Sequence, residues 1–190
     1  SVYPNLWKLL LQQADNYHNK PVITFGDEKM GFDELCEKVK MVAAFLDGQT
    51  SKNIIGISSA HPFKNTISVL GSLVAQKAFW VLNSSLAESV HSSVLEEVFM
   101  FDESAYQKAL STNASLQIVD SINEKMTFCW VTSSGSLAAP KITEHSYYSI
   151  MEDTYRQIRD HKITANDRID VLASLTFSAT LSAIFPAVFT

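Results

Sequence analysis

The sequence predicts an α/β fold, a layered sandwich with a mainly parallel sheet flanked by helices, and three observations predict it. Helical and extended patterns alternate along most of the chain, the order that buries a parallel sheet between helix layers. The segment from Ile54 to Leu82 reads as strand, helix, strand, a single βαβ unit. Finally, 190 residues with 46% hydrophobic and 18% charged side chains suffice for one domain with a substantial core and argue against disorder.

The elements follow in order. Asn5 to Tyr17 reads as a helix with Leu6, Leu9, Leu10 and Gln13 on one face and Asn5 as N-cap. Val22 to Phe25 and Met30 to Phe32 flank Gly26-Asp27, a hairpin signal. Asp33 to Leu46 is a second helix, with Leu35, Val39, Val42, Ala43 and Leu46 as its core stripe. Strand Ile54 to Ser58, helix Phe63 to Ala75 and strand Ala78 to Leu82 make the βαβ unit. A helix over Glu88 to Glu97, a strand Val98 to Phe101, a helix Ser104 to Leu110 and a strand Leu116 to Val119 come next. The polar region Ser111 to Lys125 reads as a surface excursion. An apolar strand Met126 to Val131, a helix over Ser146 to His161, a strand Ile169 to Ala173 and a helix after Ser178 finish the chain.

Composition excludes several classes. A net charge of −5 with only three arginines does not fit a nucleic-acid or anionic-membrane surface. No apolar run approaches the roughly 20 residues of a membrane span, and the amino end has no secretory pattern, so a cytoplasmic protein is expected. Two cysteines make no disulfide framework. Cys36 falls in an amphipathic helix and Cys129 in an apolar strand, positions that predict buried, unreactive thiols. His18, His91 and His161 lack partners at metal-ligand spacing, and no metal site is predicted. His61 follows strand Ile54 to Ser58 and reads as a loop residue.

The chemistry concentrates in Thr132-Ser133-Ser134-Gly135-Ser136-Leu137-Ala138-Ala139-Pro140-Lys141. Small hydroxyl residues and a glycine leave N–H groups and Oγ atoms to surround an anion. The Pro-Lys pair is expected to lead into a helix, whose start would add partial positive charge. Such a segment reads either as a polyphosphate cradle or as a flexible Ser/Gly linker. It is not a Walker loop, because Pro140 and Ile142 stand where Gly and Ser/Thr are needed. No Gly-x-Gly-x-x-Gly follows a strand, which argues against a Rossmann binder.

Ser133 to Lys141 resembles the phosphate loop of the adenylate-forming (AMP-binding) superfamily, Thr-Ser-Gly-Ser/Thr-Thr-Gly-x-Pro-Lys-Gly. It departs at Leu137, Ala138 and Ile142. Four other segments resemble the same enzymes in the same order. They are Ile23 to Val42 (hairpin, then Thr-Tyr-x-Glu-Leu), Val69 to Val81 (Lys-Ala-Gly-x-x-Tyr-Val-Pro), Ala165 to Arg168 (Gly-Asp-Arg), and Leu172 to Val188. The last is similar to Ala-Ser-x-Ser-Phe-Asp-x-Ser-x-x-Glu-Ile-Phe of adenylation domains. Among subfamilies the nonribosomal peptide adenylation domains and the D-alanine:carrier-protein ligases are the most similar.

The resemblance implies that residues 1–190 are the first subdomain of an adenylate-forming ligase N-terminal domain, truncated before the remainder of the ligase and inactive alone. The parent would use ATP and Mg2+ to activate a carboxylate substrate as acyl-AMP, then pass the acyl group to CoA or to a carrier-protein phosphopantetheine. It also implies that Thr132, Ser133, Ser134, Gly135 and Ser136 contact the β- and γ-phosphates, with Lys141 as the loop's cation and no catalytic residue in this stretch. His145 follows Lys141 where the family often carries a Thr-His or Ser-His; a surface histidine is the alternative reading. Phe177 and Ser178 occupy the position where amino-acid-activating domains carry Phe-Asp. Ser178 has no charge for a substrate ammonium, and a buried ammonium without a counter-charge is costly. Either the substrate lacks an α-amino group, another residue compensates, or activity has been lost. The lost glycines keep a second reading open, a degenerate adenylation-like domain serving as scaffold or interaction module.

Overall fold

The computed structural model describes residues 3–18, 20–58, 61–113, 115, 125–133, 140–171, 176 and 181–190. Its centre is a five-stranded sheet in the order β5-β3-β4-β6-β7, built from β3 (Ile54–Ile57), β4 (Ala78–Val81), β5 (Val98–Phe101), β6 (Thr127–Ser133) and β7 (Lys141–Ser146). The first four strands of that order run parallel, and β7 closes one edge antiparallel to β6. A separate hairpin, β1 (Pro21–Phe25) and β2 (Glu28–Gly31), stands off the sheet. Its turn places Gly26 at φ +59, a conformation glycine adopts without a Cβ penalty.

Helices α1 (Leu6–Tyr17), α2 (Phe32–Gln49), α3 (Pro62–Val74), α6 (Glu103–Ser111), α7 (Tyr147–His161) and α8 (Leu181–Phe189) supply most of the large core. There Ile55, Ile57, Phe79, Val81, Phe128 and Cys129 from one sheet face meet Leu10, Leu35, Val42, Leu70, Tyr106, Met151 and Phe185. The strands β3 and β4 are buried at every position, as parallel strands covered on both faces are. The second face carries a smaller cluster of Ile54, Ala78, Trp80, Leu82 and Val98. It is capped by Leu86 from α4 (Ser84–Ser89) and by Val94 and Leu95 from α5 (Ser92–Leu95).

Local chemistry explains the helix starts. Asn5 Oδ1 accepts from the N–H of Trp7 at 2.9 Å and of Lys8 at 3.3 Å. Asp102 and Ser146 cap α6 and α7 in the same way. Asp33 and Glu34 sit in the first turn of α2, where the helix dipole favours them. Helix α7 ends on Lys162 in the left-handed conformation, φ 54.

Three sequence expectations are corrected here. The Pro-Lys pair does not open a helix: Lys141 begins strand β7, which pairs with β6 from Ser133↔Lys141 to Thr127↔Ser146, and the helix starts only at Tyr147. The segment between Ser133 and Lys141 is therefore the connection of a β-hairpin. The single helix over Glu88 to Glu97 is instead two short ones, each with its own cap, Asn83 for α4 and His91 for α5. Ile169, Asp170 and Val171 carry no strand assignment. The expected strand Leu116 to Val119 and the residues 172 and 173 lie outside the described residues.

Candidate functional site

In parallel sheets ligands gather outside the carboxyl ends of the strands, and here that end is where β6 delivers the hydroxyl-rich segment. Ser133 is exposed and its Oγ donates to the carbonyl oxygen of Lys141 at 3.4 Å. The pair closes the base of the connection. Lys141 itself is exposed. Ser134, Gly135 and Ser136 lie outside the described residues, as do Phe177 and Ser178.

Thr132 differs from its neighbours. It is buried, and its Oγ1 accepts a hydrogen bond from the indole Nε1 of Trp80 at 2.9 Å. Trp80 is 1% exposed and meets Trp130 edge-on, with ring centroids 5.5 Å apart. Sequence reasoning gave Trp80 no role. The available signal was an indole in a buried strand, whose N–H must find an acceptor. Ile142, where the loop pattern has glycine, packs its side chain against this second-face cluster.

His145 is half-buried on β7 and pairs in register with Cys129 of β6. His61 proves to be the N-cap of α3: its Nδ1 accepts from the N–H of Phe63 at 3.2 Å. Its Nε2 lies 3.5 Å from Glu28 Oε2, and its ring meets Phe25 and Phe63 edge-on. It therefore fastens the β1–β2 hairpin to the start of α3.

Beside the same sheet end lies a cleft of about 610 Å3. Its floor is Val81, Leu82 and Asn83 at the end of β4. Its walls are Val22 to Gly26, the first turn of α3 and the Ala183, Ile184, Ala187 and Val188 face of α8. Asp170 is the one charged residue among the described residues that line it. Volume and largely apolar walls are those of a small-molecule cleft.

Neither thiol belongs to a reactive site. Burial first, then the Asp33 and Asp15 carboxylates, push Cys36 up to about 11, and burial pushes Cys129 up to about 12. Both are therefore thiols at neutral pH and weak nucleophiles. A disulfide reagent such as DTNB at pH 8 is expected to modify neither cysteine in the native protein and both after urea unfolding; rapid native labelling would contradict this burial. Because the folded pKa values lie above the unfolded 9.0, unfolded thiols ionise first. Stability is thus expected to fall as pH rises above 9 toward 11 or 12, measurable as a declining melting temperature that Cys36→Ser and Cys129→Ala flatten. Among the described residues no group of three or more His, Cys, Asp or Glu could hold a metal ion, and no helix is long and apolar enough to cross a membrane.

No protein-family profile matches the sequence and no curated protein does. Solved structures do. The N-terminal subdomain of Klebsiella oxytoca NpsA, in complex with 3-hydroxyanthranilyl-AMSN, superposes with a TM-score of 0.78 at 15% identity, over 99% of this chain and 52% of that one. The o-succinylbenzoate coenzyme A synthetase MenE of Bacillus subtilis, in complex with AMP, gives 0.79 at 19% identity, over 98% and 54%. VinN gives 0.78 at 15%, over 97% and 54%. The chain thus spans about half the length of the structures it matches. The superpositions take in 97–99% of this chain, and its fold is that of the N-terminal part of the adenylate-forming, AMP-binding enzymes.

Proposed function

We propose that the chain is the ATP-phosphate-binding part of a ligase that activates a carboxylate as acyl-AMP for transfer to a thiol, CoA or a carrier-protein phosphopantetheine. One observation carries the reading: a hydroxyl-rich connection leaves the carboxyl end of the parallel sheet and is closed at its base by Ser133 and an exposed Lys141. A polyphosphate there would meet Ser133, Ser134, Gly135 and Ser136 through hydroxyl and N–H donors, with Lys141 supplying a full positive charge. Thr132 heads the segment. Mg2+ arriving with the nucleotide would offset charge on departing pyrophosphate, and fixed donors at the loop would do so without reorganisation. The donor set fits such a ligand, being hydroxyls and one ammonium with no carboxylate among the named residues. The cleft at the same sheet end gives the carbon skeleton of the carboxylate an apolar wall. The remainder of the ligase would complete the site, and residues 1–190 alone would not turn over.

Mg-ATP at saturation is expected to raise the melting temperature of the intact protein, since a ligand bound only by the folded state stabilises it. Lys141→Ala is expected to weaken binding about tenfold, the loss of one charge-assisted contact of roughly 1.5 kcal/mol. Because Lys141 is exposed on an edge strand, the same variant is expected to leave the unliganded melting temperature within about 1 °C, a change under roughly 0.5 kcal/mol. An unchanged melting temperature with saturating Mg-ATP would reject the ligase reading.

Ile142 supports a second reading. Its side chain packs on the second-face cluster where a glycine would let backbone approach phosphate. That substitution suits an adenylation-like domain kept as a scaffold or interaction module, and this reading expects no response to Mg-ATP.

A further inference from the structure

We infer that Trp80 is a positioning residue for the polyphosphate loop, acting through Thr132; this rests on the ligase reading above. The strand that carries the loop is registered to the parallel sheet through Phe79 on β4 and Cys129 on β6. One residue beyond that pair on β4 and three beyond it on β6, Trp80 Nε1 reaches across to Thr132 Oγ1 at 2.9 Å. By contrast, the neighbouring parallel pair β3–β4 is in register over Ile54↔Ala78 to Ile57↔Val81. On its β4 side the carboxyl end of β6 is therefore held by a side-chain bond, one residue before Ser133 and the loop, while its other side pairs with β7.

The chemistry of the tie makes it directional. An indole only donates, so it fixes Thr132 Oγ1 as acceptor and sets the rotamer of the residue that precedes the phosphate donors. Trp80 cannot drift, because it is 1% exposed on a strand that is buried at every position. Burial takes this N–H out of bulk solvent, so the bond is costly to leave unmade. A loop whose donors must meet a polyanion gains from a base that is fixed before the ligand arrives.

Calorimetric titration of Mg-ATP into the intact protein tests this with Trp80→Phe, Thr132→Val, their double variant and Trp130→Phe. Trp80→Phe and Thr132→Val are each expected to weaken binding about tenfold, or roughly 1.4 kcal/mol. The double variant is expected to lose the same tenfold and no more, because both remove one bond. Trp130→Phe shrinks the ring that meets Trp80 edge-on and spares the tie, so it is expected to lower the melting temperature while leaving Kd within about twofold. Wild-type affinity in both Trp80→Phe and Thr132→Val would overturn the inference while leaving the ligase reading intact. If Trp80→Phe does not fold, the near-isosteric Thr132→Val decides alone by the same criterion. No Mg-ATP binding by the wild-type protein overturns the ligase reading, and the inference falls with it.

Discussion

Truncating Phe128 to alanine is expected to cost about 4 kcal/mol, the middle of the range for removing a buried phenylalanine. Phe128 is 1% exposed and is the junction of three ring contacts: Phe185 at 4.9 Å, Tyr147 at 5.5 Å and Phe79 at 5.7 Å between centroids. Those partners belong to α8, α7 and β4, so one side chain joins two helices and the neighbouring strand to β6. Each edge-on or tilted pair adds roughly 0.5–1.5 kcal/mol beyond area burial. The cavity left by truncation would be walled by rings on separate elements, which cannot all collapse inward together. Urea unfolding measures the loss as a lower midpoint with unchanged slope. Phe25→Ala is the control, since Phe25 is 52% exposed on the hairpin, and it is expected to cost under about 1 kcal/mol. Against a total stability of order 5–15 kcal/mol, a Phe128→Ala variant with near-wild-type stability would mean that β6 is not seated in the core as described. The consequence for the proposed function is direct, because Phe128 lies five residues before Ser133 on the strand that carries the proposed phosphate loop.

The parallel body was legible because its strands are short apolar runs buried on both faces. Ile54 to Ile57 and Ala78 to Val81 are apolar throughout and too short for helices. The cap of the first helix was legible for the same local reason, Asn5 being a residue whose side chain satisfies orphan N–H groups. Strand β7 was not. Lys141 to Ser146 has neither alternation nor an apolar run, and its burial follows no period of two. What makes it a strand is pairing with β6 across a connection, a contact distant from any local propensity. The break between α4 and α5 was misread because Ser, Glu and Leu there suit a helix. Asn83-Ser84 and His91-Ser92, each a cap followed by serine, were the overlooked boundary signals. The Trp80–Thr132 bond joins residues 52 apart, so no window of sequence contains it.

The other large effect expected concerns the packing of α2 on α3. Gly71 lies within α3, where alanine would by itself favour the helix by about 1 kcal/mol. Yet a Cβ at Gly71 would sit 2.5 Å from Val42 Cγ1, 2.8 Å from Val42 Cβ and 3.3 Å from the Val39 carbonyl oxygen. Val42 is fully buried on α2 and, being β-branched, has essentially one rotamer in a helix. Its Cβ is fixed to the backbone whatever the rotamer. The clash can therefore be relieved only by moving the helices apart, which opens contacts along their whole length. Overpacking of this kind costs about 1–3 kcal/mol, and the expected net loss for Gly71→Ala is about 2 kcal/mol. Val42→Ala alone is expected to lose a comparable amount through the cavity it leaves. In the double variant the new methyl occupies that cavity, so the losses should not add: a favourable coupling of at least about 1 kcal/mol is expected from the double-mutant cycle. If Gly71→Ala proves neutral, or the two losses simply sum, the close approach of α2 and α3 at this glycine is not the contact that fixes their spacing.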